Sequence, residues 1–328
     1  MAGTAGDDTV GTPGRGPTGV AARSGGLPAP SGPRLVAAWW RALAPPQRLT
    51  TAAGLLLVGV GLAHLMAYAA VGGAWQGPVS LRKPVTFGLS FGLTCLTLGW
   101  FTSLVRISPR TAGVLAVALA GSTTAEVVWV SVQAWRGVPS HFNVATALDA
   151  ALFNWLGGVS IAITVAVIVA LTVLAWMRPA APPSMVLALR VGLVLLLISQ
   201  AVGAAMIAQG LRTQAAGGAA STTWGAGGAM KLAHFAGMHG VQLLPGLAWL
   251  LGSAAVPERT RRRLVAAAAG GLSALVTGAA LQVFSGRAPT QPGLADAALL
   301  LLGAVLLGAA AAGAAAVRHA RGAVPADS

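Results

Sequence analysis

The residues of this chain with most chemistry to offer are ionisable or amide side chains set in or beside long apolar runs. Glu126 and Asp149 are candidate acids or bases. His64, His141, His234 and His239 are candidate ligands for a divalent metal such as zinc, which would activate water, or, paired from different helices, for a haem iron. Arg82, Lys83, Gln133, Arg136, Lys231 and Gln242 offer charge and hydrogen bonds to an anionic or small polar ligand. An ionisable group within a membrane span is costly enough to mark a functional site by default.

Spacing narrows these roles. In AEVVWVSVQAWRGVPSHFN, Glu126 and Gln133 are seven apart and share a helix face with Trp129, a face expected to look into a bundle. A buried carboxylate needs a partner, and Arg82, Lys83, Arg136 and Lys231 are the available cations; a structural ion pair locking two helices is the plain alternative. In KLAHFAGMHGVQLLPG, His234 and His239 are five apart, about 140° around a helix, so they cannot grip one ion from a single face. Lys231 shares a face with His234, and His239 with Gln242. Pro245 removes the donor to the carbonyl of Val241, which predicts a kink beside Gln242. QGPVSLRKP reads as a short interfacial connection or re-entrant turn whose adjacent cations suit an anionic headgroup or phosphate.

The elements that must position these groups are membrane helices. The chain has 328 residues, is 55% hydrophobic with mean hydropathy +0.75, and only 9% of its residues are charged, where soluble domains carry about 25%. A span needs about 20 apolar residues. Eight segments qualify: 50–70, 86–105, 112–134, 153–176, 185–208, 231–252, 264–285 and 296–317. The expected fold is therefore all-α, a polytopic integral membrane bundle of about eight transmembrane helices. The net charge of +14 falls mostly between the apolar runs, so it reads as a topology signal and as contact with anionic lipid, and nucleic acid is not an expected partner. Placing the N-terminus in the cytoplasm leaves 14 Lys and Arg inside and 6 outside, with Arg190 within a span, so both termini are expected to be cytoplasmic. On that topology nearly all the unusual polar residues fall in the outer half of the membrane.

Residues 1–34 are rich in Gly, Pro, Ala and Thr and read as a disordered cytoplasmic tail; 35–49 as an interfacial segment; 50–317 as the bundle; 318–328 as a second cytoplasmic tail. Cys95, the single cysteine, excludes an internal disulfide and reads as a packing residue. The last two spans are Ala, Gly and Leu and suit close helix packing as a scaffold.

The segments PVSLRKPVTFGLSFG, RGVPSHFN and KLAHFAGMHGVQLLP resemble the signature blocks of a family of uncharacterised bacterial polytopic membrane proteins, over roughly residues 50–290. The resemblance implies a multi-pass protein of the bacterial plasma membrane and brings no activity with it. Alkaline ceramidase-like membrane hydrolases, which join His, Asp and Ser from several spans around zinc, are a looser likeness; this chain departs from them in lacking HxxxH in a late span.

Four readings follow from the residues. One is a metal-dependent membrane-embedded enzyme with histidine ligands and Glu126 or Asp149 as acid or base. Another is a protein that binds or transports a small or anionic ligand through Arg82, Lys83, Arg136 and Lys231. A haem protein is a third, and a structural protein whose polar groups join helices a fourth. The inner half of the membrane has few polar residues to continue a pathway, which favours an enzyme or receptor over a pump.

Overall fold

The computed structural model describes residues 32–75, 77–219, 223–224, 228–288 and 290–322. Most of the expected N-terminal tail and residues 323–328 lie outside the described residues. Helix α1, Gly32–Ala42, belongs to a separate unit of the chain, Met1–Ala42; the rings of its Trp39 and Trp40 lie 6.4 Å apart.

The unit from Leu43 onward is helical: α2 Pro45–Val71, α3 Arg82–Phe101, α4 Pro109–Trp135, α5 Ala147–Ala151 running through a π-helical turn at Leu152–Gly157 into α6 Gly158–Met177, α7 Pro183–Ala215, α8 Lys231–Met238, α9 Gly240–Ser253, α10 Glu258–Phe284 and α11 Leu294–Gly322. A two-residue ladder, Thr223–Trp224 against Gly228–Ala229, precedes α8. Among the described residues, seven helices are long and apolar enough to cross a membrane. Their starts follow proline chemistry, since a first-turn proline gives up an N–H that would be unsatisfied anyway. Proline opens α2, α4 and α7, and at α4 the Ser108 hydroxyl also accepts from Thr111 N–H at 3.1 Å.

Large apolar side chains are exposed around the waist of the bundle, among them Leu56 and Met66 of α2, Val114 and Val117 of α4, and Leu301 of α11. Such a surface requires a lipid environment. Because lipid is as apolar as leucine, the helices hold together by close backbone approach at small residues. A Cβ added at Gly88 of α3 would stand 2.7 Å from the Cα of Gly61 in α2, and one at Gly303 of α11 would stand 2.7 Å from the carbonyl of Gly271 in α10.

Helices α2, α3, α4 and α6 run antiparallel in turn, since Gly54 meets Gly92 where Gly61 meets Gly88, Lys83 reaches Ser140 where Cys95 meets Thr123, and Trp129 meets Gly157 where Ser122 meets Thr164. At one end, called here the Arg110 end, Arg106 N–H donates to Arg178 at 2.8 Å, and Glu258 accepts from Ser184 N–H at 2.6 Å while pairing with Arg261 at 2.5 Å. The opposite, Ser140 end carries the loops after α2 and α4.

The expected span 231–252 is present as two shorter helices. The chain turns at His239, three residues before Gln242, and α9 continues with Pro245 in its interior. The glycines flanking the turn explain its place. A Cβ at Gly237 would stand 2.8 Å from the Leu195 carbonyl of α7, and one at Gly192 of α7 would stand 2.9 Å from the Gly240 carbonyl. The backbones of α7 and the broken helix thus meet where no side chain separates them.

Candidate functional site

At the Ser140 end the chain leaves α2 through Gly72, Gly73 and Gly77, all with positive φ, a conformation that glycine adopts without steric cost. The loop folds onto the carbonyl of Trp75, which accepts from Ser80 Oγ at 2.9 Å and from Arg82 Nε at 2.9 Å. The Ser80 hydroxyl in turn accepts from Arg82 N–H at 3.1 Å, which fixes the first turn of α3. Lys83 Nζ donates to the Pro78 carbonyl at 2.9 Å and reaches Ser140 Oγ at 3.5 Å. Lys231, at the start of α8, is close enough for its charge to act on Lys83, and the charge of Arg82 acts on both lysines. None of the three forms an ion pair among the described residues.

The loop after α4 supplies the opposite wall. Arg136 is bound to Asp149 Oδ1 at 2.7 Å and also donates to Gln133 Oε1, the side-chain amide oxygen; Gln133 Nε2 donates to the same Asp149 oxygen at 2.9 Å. The Thr146 hydroxyl donates to Asp149 Oδ2 at 2.8 Å and accepts from Asp149 N–H at 3.1 Å, a reciprocal cap for α5. Asp149, only 3% exposed, therefore has donors on both oxygens. This network ties the end of α4 to the start of α5 and absorbs the charge of Arg136.

Between Arg136 and Thr146 the chain carries His141 inward. Its neighbour Phe142 has φ +64°, rare for a bulky residue and maintained only by strong surroundings. The Phe142 ring fits over Gly210 of α7, where an added Cβ would lie 2.3 Å from the ring, and its carbonyl accepts from Gln214 Nε2 at 2.8 Å. Held in this way, the His141 imidazole lies among Trp129 (centroid distance 4.9 Å), Phe87 (5.5 Å) and Phe153 (6.1 Å), with Nδ1 3.0 Å from Ser140 Oγ. Burial in this aromatic box, reinforced by the nearby charge of Lys83, pushes the His141 pKa down to about 3 from an ordinary 6.5. The imidazole is neutral at physiological pH and offers Ser140 a hydrogen-bond partner, not a charge.

Below His141, Trp129 rests against Gly157, where a Cβ would stand 3.1 Å from the indole, so the π-helical turn at Leu152–Gly157 makes room for the ring. Trp129 and Gln133 are buried on the same face of α4 as Glu126, as their spacing predicts. Four acidic residues lie among the described ones, and three are ion-paired: Asp149, Glu258 and Asp296. The fourth, Glu126, is 5% exposed and forms no ion pair there, so the cation expected beside it is absent. Its Oε2 and the Trp129 indole N–H, one helical turn apart, are both buried without a hydrogen-bond partner among the described residues.

The other candidates lie apart. His64 donates through Nδ1 to the Val60 carbonyl at 2.8 Å and accepts from Trp135 Nε1 at 3.0 Å, joining α2 to the end of α4. His234 Nδ1 lies 2.7 Å from the Ser199 carbonyl and 3.0 Å from its hydroxyl. His239, at the break itself, bonds the Phe235 carbonyl at 2.9 Å, and the buried Oε1 of Gln242 has no partner among the described residues. The four histidines are not brought together, and among the described residues no three His, Cys, Asp or Glu are placed to hold a metal ion. The aromatic box and the Gly210 seat are the parts that sequence reasoning did not foresee; Phe87, Phe142, Phe153 and Gly210 look like ordinary membrane-helix and loop residues until the fold gathers them.

What converges at the Ser140 end is therefore a set of three cations without a counter-ion among the described residues, bordered by two hydroxyls and a neutral imidazole, with a carboxyl oxygen deeper along α4 that has no partner among those residues. Comparison with protein-family models, curated proteins and solved structures finds no match, so the reading of this site rests on its geometry.

Proposed function

We propose that this chain is a multi-pass membrane protein that binds an anion, a phosphate or carboxylate group, at the Ser140 end through Arg82, Lys83 and Lys231, with Ser80, Ser140 and His141 completing the site. The observation that carries this reading is the approach of three like charges that no described carboxylate neutralises. Like charges held together repel, and a bound anion relieves that cost. Glu126 and Trp129 lie one layer below, where a donor and an acceptor on the ligand, or a bridging water, would satisfy both.

The broken helix α8–α9 is read as an eighth crossing, with both termini cytoplasmic on the arginine asymmetry, so that the site faces outward. The test is equilibrium binding of inorganic phosphate and of acetate to the purified protein in non-ionic detergent. Saturable binding is expected, and Lys231→Gln should weaken it about tenfold, the value of one charge-assisted contact. Lys231 is exposed and makes no hydrogen bond among the described residues, so this change leaves the fold intact. No saturable binding of either anion, or equal affinity in Lys231→Gln, would overturn the proposal.

A further inference from the structure

A second feature lies elsewhere in the bundle and is independent of the anion site. Between α6, α7 and α10 a groove of about 880 Å³ opens on the lipid-facing surface, within the size range of small-molecule sites. Val194 and Ile198 of α7 and Leu281 and Phe284 of α10 form apolar walls. At the Arg110 end it is bounded by Arg190 and Trp176. Arg190 Nε and Nη2 donate to the last carbonyls of α6, those of Ala175 and Trp176, each at 3.1 Å, and the guanidinium lies 5.3 Å from the centre of the Trp176 ring. These contacts fix the cation without neutralising it, since Arg190 forms no ion pair among the described residues and Nη1 is left over.

The hydroxyls of Ser273 and Thr277, one turn apart on α10, also line the groove. Neither makes a hydrogen bond among the described residues, whereas hydroxyls elsewhere in these helices, such as Thr94 and Thr172, bond back to the carbonyl four residues earlier. A crevice for hydrocarbon alone has no use for an unneutralised guanidinium and two unspent hydroxyls. Together with the apolar walls they describe an amphiphile with a negative group at one end, held by Arg190, and a long remainder that runs past the two hydroxyls.

We propose that this groove holds one anionic phospholipid, its phosphate at Arg190 and an acyl chain lying between α7 and α10. Arg190 thus does two things at once, capping α6 and selecting the lipid by charge.

The test uses full-length protein stripped of lipid in a non-ionic detergent and titrated with phosphatidylglycerol, phosphatidylcholine or glycerol phosphate, with bound lipid counted by native mass spectrometry. The wild type should retain one phosphatidylglycerol at about tenfold lower concentration than phosphatidylcholine. Arg190→Gln should bind the two lipids alike, while Arg190→Lys keeps the preference. Ala280→Trp, which fills the groove without touching the charge, should lose bound lipid of both kinds. Equal retention of the two lipids by the wild type, an undiminished preference in Arg190→Gln, unchanged lipid in Ala280→Trp, or saturation by glycerol phosphate in place of lipid would each overturn the proposal. Should Arg190→Gln fail to fold because α6 loses its cap, Arg190→Lys and Ala280→Trp decide the matter without it.

Discussion

Acid should weaken this protein through one residue, His141. Its imidazole sits in an aromatic box with Lys83 nearby, and its pKa is about 3 when folded against 6.5 ordinarily. Below pH 6.5 the unfolded chain takes up a proton that the folded chain refuses, so the unfolded state binds more protons and stability rises with pH. The contribution is fully present above pH 6.5 and is lost progressively as pH falls from there toward 3. At about 1.4 kcal/mol per pH unit, moving from neutrality to pH 5 costs about 2 kcal/mol. For a chain of 328 residues that corresponds to a fall of about 3 °C in Tm. The assay compares thermal unfolding of wild type and His141→Gln in detergent at pH 7.5, 6 and 5. Other titrating groups contribute equally to both proteins, so the difference between the curves isolates His141. The wild type should lose Tm more steeply than the variant, with the gap opening below pH 6.5. Parallel curves would refute the reasoning and show that the imidazole reaches water or a carboxylate when protonated.

Other consequences can be measured in the same preparation. Gly210→Ala places a methyl where the Phe142 ring lies and should cost about 1 to 3 kcal/mol, partly restored by Phe142→Leu in the same chain. Arg136→Gln removes the charged donor from Asp149 and should lower Tm, and adding Asp149→Asn should do less harm in that background than in the wild type, giving a measurable coupling in a double-mutant cycle. For topology, single cysteines at Val144 and Ala216 should react with an impermeant reagent in intact cells, while those at Ala180 and Arg259 should react only after lysis; the reverse pattern would turn the site inward.

The helices were largely legible in the sequence because each long span is an apolar run bounded by proline, serine or arginine. The expected 112–134, for example, is Pro109–Trp135 in the structure. The inward face of α4 was legible too, because helical periodicity alone brings Glu126, Trp129 and Gln133 together. Pairings across the bundle were not. By sequence Arg136 is one of four cations available to Glu126, yet it pairs with Asp149, thirteen residues on, because the Thr146 cap turns that carboxylate back toward α4. His64 finds Trp135 across 71 residues, a contact with no sequence signature. The break at His239 was masked by Pro245, the stronger local signal; its cause, the close approach of α7 at Gly192 and Leu195, exists only in three dimensions.

That break also bears on how the chain enters a membrane during synthesis. α9 has 14 residues and is about 21 Å long, short of the roughly 30 Å hydrocarbon layer, and α8 with its 8 residues is shorter still. Neither piece is a competent insertion signal by itself. Both pack against α7, a 33-residue apolar helix made just before them, through the glycine contacts at 192, 237 and 240. With α8–α9 read as a crossing, the broken segment is expected to enter together with α7 and not on its own. A bulky substitution at Gly192 or Gly240 should therefore reduce the amount of protein reaching the membrane more than the anion binding of the molecules that arrive.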